Sequence, residues 1–149
     1  MKIDNEVLDR LKGRTFKIIN WYFYTDEEEG RRKEIRDVFN VSDDYKIIGR
    51  CTLLGDIVVF YNGRIGVINH DEPEEEPLVM TKNIVKFGEF VDLLEEIPDY
   101  AEEKDIKALK KIKKQIKSIR KKAPKNLKDD FDESIYDIED LIEDIEDGL

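Results

Sequence analysis

Two consecutive segments of opposite charge constrain the fold of this chain more than any other feature of its sequence. Residues 104–128 contain 12 lysines and arginines and a single acid, whereas residues 129–149 contain 11 acids and no base. Either segment alone would be a poor helix, because like charges one turn apart repel each other and short helices are marginal in water. Placed side by side, each segment supplies the counter-charge of the other.

Both charged segments also carry apolar residues at helical spacing, every three or four positions. These residues are Leu109, Ile112, Ile116, Ile119 and Ala123 in the basic segment and Phe131, Ile135, Ile138, Ile142 and Ile145 in the acidic one. Pro124 lies between the segments and ends the first helix. We therefore predict that residues 102–147 form a charge-complementary helical hairpin, closed within one chain or between the two chains of a homodimer.

The central part of the chain has the character of a β-sheet. Residues 45–70 contain runs of β-branched and aromatic residues, with Cys51 to Leu54 expected in a strand and Gly55-Asp56 in a turn. Asn62-Gly63 is a strong hairpin signal, because both residues tolerate the positive φ that a type I′ turn requires. The pattern predicts three or four antiparallel strands arranged as a meander.

Helices are expected on both sides of this meander. The first begins near Asn5, and the second follows the acidic run that starts at Asp26. Between them, residues 15–24 fit either a strand or a buried helix. A short strand is expected at residues 78–80, followed by a helix over residues 83–96. The predicted fold class is α+β, an antiparallel β-meander flanked by helices with a C-terminal charge-complementary hairpin.

Pro98 follows the helix predicted over residues 83–96 and marks a boundary within the chain. We predict an α+β domain over residues 1–101 and the helical hairpin over residues 102–149, packed on the first domain or appended to it.

Several features of the sequence indicate a cytoplasmic protein. Cys51 is the only cysteine, which excludes an intrachain disulfide and suits a reducing compartment. No apolar run is long enough to cross a bilayer, and acids occupy the N-terminal positions where a signal peptide would be apolar. We expect a chain without membrane attachment.

The residues that most catalytic and metal sites require are missing from the sequence. His70 is the only histidine, so a catalytic triad, a His-Cys dyad and a multi-histidine zinc site are excluded by count. Beside Asp71 at a strand end, His70 is expected to be a hydrogen-bonded structural residue. No glycine-rich phosphate loop is present. Carboxylates are plentiful, so hydrolysis by a pair of carboxylates stays open by count, but most of them lie in runs that are typical of a solvated face. We predict no catalytic residue, no metal site and no cofactor.

The candidate partner-binding site is an acidic loop between two predicted strands. The first 103 residues have a net charge of −10, and five acids with two prolines are concentrated in this loop. The candidate residues are Asp71, Glu72, Glu74, Glu75 and Glu76, with Pro73 and Pro77 stiffening the loop. The sequence predicts a basic protein partner, and the alternative is a solvated loop without a role.

Short motifs over about residues 45–96 resemble the SUKH superfamily. The motifs are Ile48-Gly49, Leu54-Gly55-Asp56 before a hydrophobic strand, Asn62-Gly63, Val67-Ile68-Asn69-His70-Asp71, a Glu/Pro loop, and Phe87-Gly88-Glu89-Phe90-Val91 in a helix. The resemblance implies an α+β domain without catalytic activity, and many bacterial members are immunity proteins that bind and neutralise a toxin. Residues 1–44 carry no motif of the family.

The leading functional hypothesis is therefore a non-catalytic immunity protein that binds a basic toxin or nuclease stoichiometrically. A second hypothesis is an acidic inhibitor from a phage or mobile element that mimics nucleic acid. A third is a scaffold protein that oligomerises through its coiled-coil segment. Direct binding of nucleic acid is disfavoured, because the basic segment has its counter-charge within the same chain.

Overall fold

The computed structural model describes residues 2–16, 18–53 and 55–148, and it confirms the predicted α+β class. The described residues form a six-stranded antiparallel sheet, with its strands adjacent in chain order, and five α-helices. The strands are β1 (Thr15–Phe16), β2 (Trp21–Phe23), β3 (Lys46–Cys51), β4 (Ile57–Tyr61), β5 (Arg64–Ile68) and β6 (Leu78–Thr81). The helices are α1 (Lys2–Leu11), α2 (Glu29–Phe39), α3 (Ile84–Glu95), α4 (Ile106–Arg120) and α5 (Lys128–Glu146).

The segment whose sequence fits either a strand or a helix is a β-hairpin. Strands β1 and β2 pair antiparallel, with Thr15 opposite Tyr22 and Phe16 opposite Trp21. Asn20 precedes β2 with a φ of 56°, in the left-handed region that asparagine tolerates better than most residues. The aromatic residues of this segment therefore extend the sheet by two strands beyond the predicted meander.

The predicted meander is confirmed as β3, β4 and β5. Between β4 and β5, Asn62 and Gly63 have φ values of 49° and 75°, as a type I′ turn requires. Cys51 lies in a strand as expected, but the expected continuation of that strand is wrong, because β3 ends at Cys51 and the next two residues lie in a turn. The N–H of Gly55 donates to the Cys51 carbonyl at 2.8 Å and closes this turn. Leu54 lies outside the described residues.

Both faces of the sheet are covered by buried side chains. On one face, Ile35 of α2 packs with sheet residues in an apolar cluster. The other residues of this cluster are Tyr24, Val41, Ile47, Ile57, Val59 and Ile68. Elsewhere in the core, the Phe87 ring of α3 lies 5.8 Å from the Trp21 ring and 6.4 Å from the Phe23 ring. Buried side chains on both faces therefore hold the sheet from which the connecting loops extend.

The chain divides into two compact units, an N-terminal unit (Met1–Glu89) and a C-terminal unit (Phe90–Leu149). The division falls within α3, earlier in the chain than the predicted boundary after residue 101. Within the C-terminal unit, the Phe90 ring lies 5.8 Å from the Phe131 ring of α5. The last part of α3 thus shares a core with the helices that follow it.

The predicted helical hairpin is confirmed, with α4 and α5 packed together within one chain. The apolar residues predicted to form its seam are buried, apart from the half-buried Ile145. Among the described residues, two ion pairs join the helices. The Arg120 guanidinium binds the Asp132 carboxylate through two contacts of 2.7 and 3.1 Å, and Lys113 lies 3.0 Å from Glu139. The Asp105 carboxylate caps α4 by accepting from the Lys107 N–H at 3.1 Å.

None of the helices in the described part of the chain combines the length and the apolar character that crossing a membrane requires.

Candidate functional site

The predicted acidic site is the loop that connects β5 to β6 in the N-terminal unit. These two strands pair antiparallel, with Val67 opposite Leu78. Pro77, the last residue of the loop, is buried, and its Cβ lies 3.0 Å from the position that a Cβ on Gly66 would occupy. Both ends of the loop are therefore fixed by the sheet, and Pro77 restricts its backbone further.

Hydrogen bonds also order the interior of the loop. The side-chain oxygen of Asn69 accepts from the Asp71 N–H at 2.9 Å, and the Asn69 carbonyl accepts from the Glu72 N–H at 3.1 Å. The Glu75 N–H then donates to the Glu72 carbonyl at 3.1 Å. Asparagine is well suited to this position, because its short side chain can bond to the backbone two residues further on.

His70 ties the start of the loop to the turn before β4. Its Nδ1 lies 2.8 Å from Asp56 Oδ1, and its backbone N–H donates to the same oxygen at 3.3 Å. On the other side of the ring, Nε2 lies 3.3 Å from Asp71 Oδ1. The expectation of a hydrogen-bonded His70 is confirmed, and the structure adds Asp56 as the residue that holds it.

A second set of contacts packs against the His70 ring. The edge of the ring contacts Phe39 of α2, with the ring centres 6.2 Å apart. The Arg50 guanidinium lies 5.7 Å from the centre of the Phe39 ring and donates its Nε–H to the Gly55 carbonyl at 3.0 Å. Cation–π and edge contacts of this kind add stability beyond area burial. The base of the acidic loop is therefore built by three parts of the chain.

The five candidate acids all lie in this loop, and their side chains are exposed. The Glu75 carboxylate, through a side-chain hydrogen bond and through charge repulsion, raises the pKa of Glu72. Such crowding of like charge favours the approach of cations and of basic side chains. The loop is thus a concentrated anionic surface on an ordered backbone.

Two further features bear on the binding of metal ions and small molecules. Over residues 2–16, 18–53 and 55–148, no group of three or more histidine, cysteine, aspartate or glutamate residues is arranged to hold a metal ion. A cleft of about 160 Å³ lies elsewhere in the N-terminal unit, lined by α1, β2, β3 and α2. Its volume is below the range of about 300–1,000 Å³ that is typical of small-molecule sites.

Sequence reasoning found the five acids and the two prolines but missed the residues that hold the loop. The sequence places Asp56 only in a turn, and it places Phe39 only in the region of the helix that follows the acidic run from Asp26. Asp56 and Phe39 lie far from His70 along the chain. They support the loop only because the fold brings them into contact with His70 at the end of the sheet. The Gly55-Asp56 step was the one available signal, because it places a carboxylate where β4 begins beside the end of β5.

Comparisons of the chain with protein-family models, with curated proteins and with solved structures find no match. The resemblance to the SUKH superfamily therefore stays a prediction that rests on the motifs themselves.

Proposed function

We propose that this chain is a non-catalytic binding protein of the immunity type, which neutralises a basic toxin or nuclease by forming a stoichiometric complex. The observation that carries the proposal is the acidic loop, whose ends are held by the sheet and by the His70–Asp56 contact. A loop that is ordered before binding loses less conformational entropy in the complex than a flexible one.

The charge of the N-terminal unit supports the same conclusion. Residues 1–89 contain 18 acids and 14 bases, and five of those acids lie in the six positions from Asp71 to Glu76. An anionic patch of this density raises the rate at which a basic partner arrives, and it repels anionic competitors. Nucleases that act on DNA or RNA carry the basic surfaces that such a patch would attract.

The direct test first asks whether a toxin-like protein is encoded beside the gene for this chain, and then produces that protein together with this chain. We expect co-expression of this chain to restore the growth of cells that produce the toxin, and calorimetry of the purified pair to give one binding site per toxin. Protection by amounts far below one equivalent would indicate a catalytic mode of action and contradict the proposal. The absence of a complex between the two purified proteins would contradict it as well.

Competition separates this function from nucleic-acid mimicry. An immunity protein is expected to bind its own toxin and to leave unrelated DNA-binding proteins free. A mimic would instead be displaced by a DNA duplex from several unrelated basic proteins. A scaffold protein would bind neither class of protein and would show only association through its helices.

A further inference from the structure

The outward face of α4 carries four lysines that form a continuous stripe, which we call the lysine stripe: Lys107, Lys110, Lys114 and Lys117. All four are exposed, and none has an ion pair with another described residue. Their spacing of three, four and three residues puts them on the side of the helix opposite its buried apolar residues. At 1.5 Å per residue, the stripe is about 15 Å long.

The outward face of α5 carries a matching row of acids, which we call the carboxylate stripe: Glu133, Asp137, Asp140 and Asp144. These side chains are exposed and also have no ion pair with another described residue. Their spacing of four, three and four residues puts them opposite the buried face of α5. This stripe is about 16 Å long by the same geometry.

Closing the hairpin therefore leaves most of its charge uncompensated. The two ion pairs between the helices involve Arg120, Asp132, Lys113 and Glu139, and none of these residues belongs to either stripe. Each stripe points away from the buried seam of its own helix. An isolated chain consequently presents one basic and one acidic row, equal in number of charges and similar in length.

We propose that the lysine stripe of one copy docks against the carboxylate stripe of a second copy. The two rows are complementary in sign, number and spacing, and every copy carries both. Because the contact joins two different surfaces, it is heterologous and can repeat from one copy to the next. Exposed ion pairs are individually weak, so we expect a dissociation constant of about 0.1–1 mM rather than a permanent oligomer.

Charge and composition favour a second copy over nucleic acid as the occupant of the lysine stripe. The C-terminal unit contains 18 acids and 12 bases, and the whole chain has a net charge of −10, so it repels a polyanion at a distance. The stripe contains no arginine, whose planar guanidinium makes the paired contacts typical of phosphate recognition. Pairing with a row of carboxylates on a protein requires only complementary point charges.

Charge-swapped variants test this docking directly. One variant replaces the four lysines of the lysine stripe with glutamate, and the other replaces the four acids of the carboxylate stripe with lysine. The net charge becomes −18 in the first variant and −2 in the second. Because both variants remain negative, their net charges do not attract each other. Both variants keep the two ion pairs of the hairpin, and circular dichroism verifies that both remain helical.

The measurement is sedimentation velocity in about 0.15 M salt, where the Debye length of about 8 Å screens distant charges. We expect the average mass of the unmodified chain to rise above 17.6 kDa as its concentration approaches about 1 mM. Each variant alone is expected to stay at the mass of one copy, and an equal mixture of the two is expected to associate again. A matched control, Glu74, Glu75 and Glu76→Lys in the acidic loop, is expected to associate like the unmodified chain.

Three outcomes would overturn the docking proposal. The unmodified chain could stay monomeric to about 1 mM, the mixed variants could fail to associate, or the loop control could lose association to the same extent. A monomeric chain that binds a 20-base-pair DNA duplex through the lysine stripe would reassign that stripe to phosphate recognition. The stripes share no residue with the acidic loop, so this proposal and the proposed function stand or fail separately.

Discussion

Replacing Asp56 with alanine should weaken the sheet and loosen the acidic loop at the same time. The Asp56 carboxylate accepts two hydrogen bonds from His70, at 2.8 Å from the ring and at 3.3 Å from the backbone. The side chains of His70 and Asp56 are only 31% and 21% exposed, so water compensates poorly for the lost acceptor. At roughly 1 kcal/mol for each bond, we expect the free energy of unfolding to fall by about 2 kcal/mol.

The assay combines urea unfolding with amide hydrogen exchange of the loop. We expect the amides of Asp71, Glu72 and Glu75 to exchange faster in Asp56→Ala than in the unmodified chain. The matched control is Asp71→Ala, which removes a carboxylate that is 79% exposed and should cost no more than about 0.5 kcal/mol. A loss below 0.5 kcal/mol in Asp56→Ala, or loop exchange that does not change, would refute the assignment of Asp56 as the anchor.

Three further predictions concern packing and charge. Gly49→Ala should destabilise the chain by about 2 kcal/mol in urea unfolding, because the new Cβ would collide with the backbone of β2. The control Gly30→Ala lies on the open surface of α2 and should stabilise the chain by up to about 1 kcal/mol. Desolvation raises the pKa of Asp130 to about 6, above its ordinary value of 3.8, so stability should fall as pH rises from about 4 to about 6. Asp130→Asn should therefore stabilise the chain at pH 7 by up to about 1 kcal/mol and have no effect at pH 3, as measured by unfolding at both pH values. Arg120→Lys should lower the melting temperature by about 1–3 °C because it loses the two-contact geometry with Asp132, and an unchanged melting temperature would show that the pair contributes nothing.

Local sequence patterns were sufficient to predict the elements that repeat regularly. The three- and four-residue spacing from Leu109 to Ala123 and from Phe131 to Ile145 predicts which face of each helix is buried, since a helix has one fixed period. Asn62-Gly63 predicts its turn because few other residue pairs adopt two positive φ angles. These signals depend only on neighbours in the chain.

Features that depend on distant parts of the chain could not be predicted in the same way. Residues 15–24 are aromatic and β-branched, which suits a strand or a buried helix, and only pairing with β3 selects the strand. The charge blocks predict that two helices attract each other, but the rotation of each helix decides which charges meet. For this reason the two ion pairs between α4 and α5 and the outward stripes emerge only from the structure.

The acidic loop illustrates both cases. Its charge and its prolines are visible in the sequence, and the structure places all five acids on an ordered connection between β5 and β6. Its anchor combines His70 with Asp56, which are 14 residues apart. Such a pair becomes visible only when the strands are aligned, because the Gly55-Asp56 step marks a carboxylate before β4 but does not indicate which residue that carboxylate contacts.

The most direct test of the proposed function is the association rate of the toxin with two charge-reversed variants of this chain. Glu74, Glu75 and Glu76→Lys alters the loop, and Glu34, Asp37 and Glu89→Lys alters three exposed acids elsewhere; both change the net charge from −10 to −4. Because steering depends on local charge, we expect the loop variant to associate at least about tenfold more slowly in low salt and the control by less than about threefold. Equal rates for the two variants would contradict the assignment of the acidic loop as the binding surface.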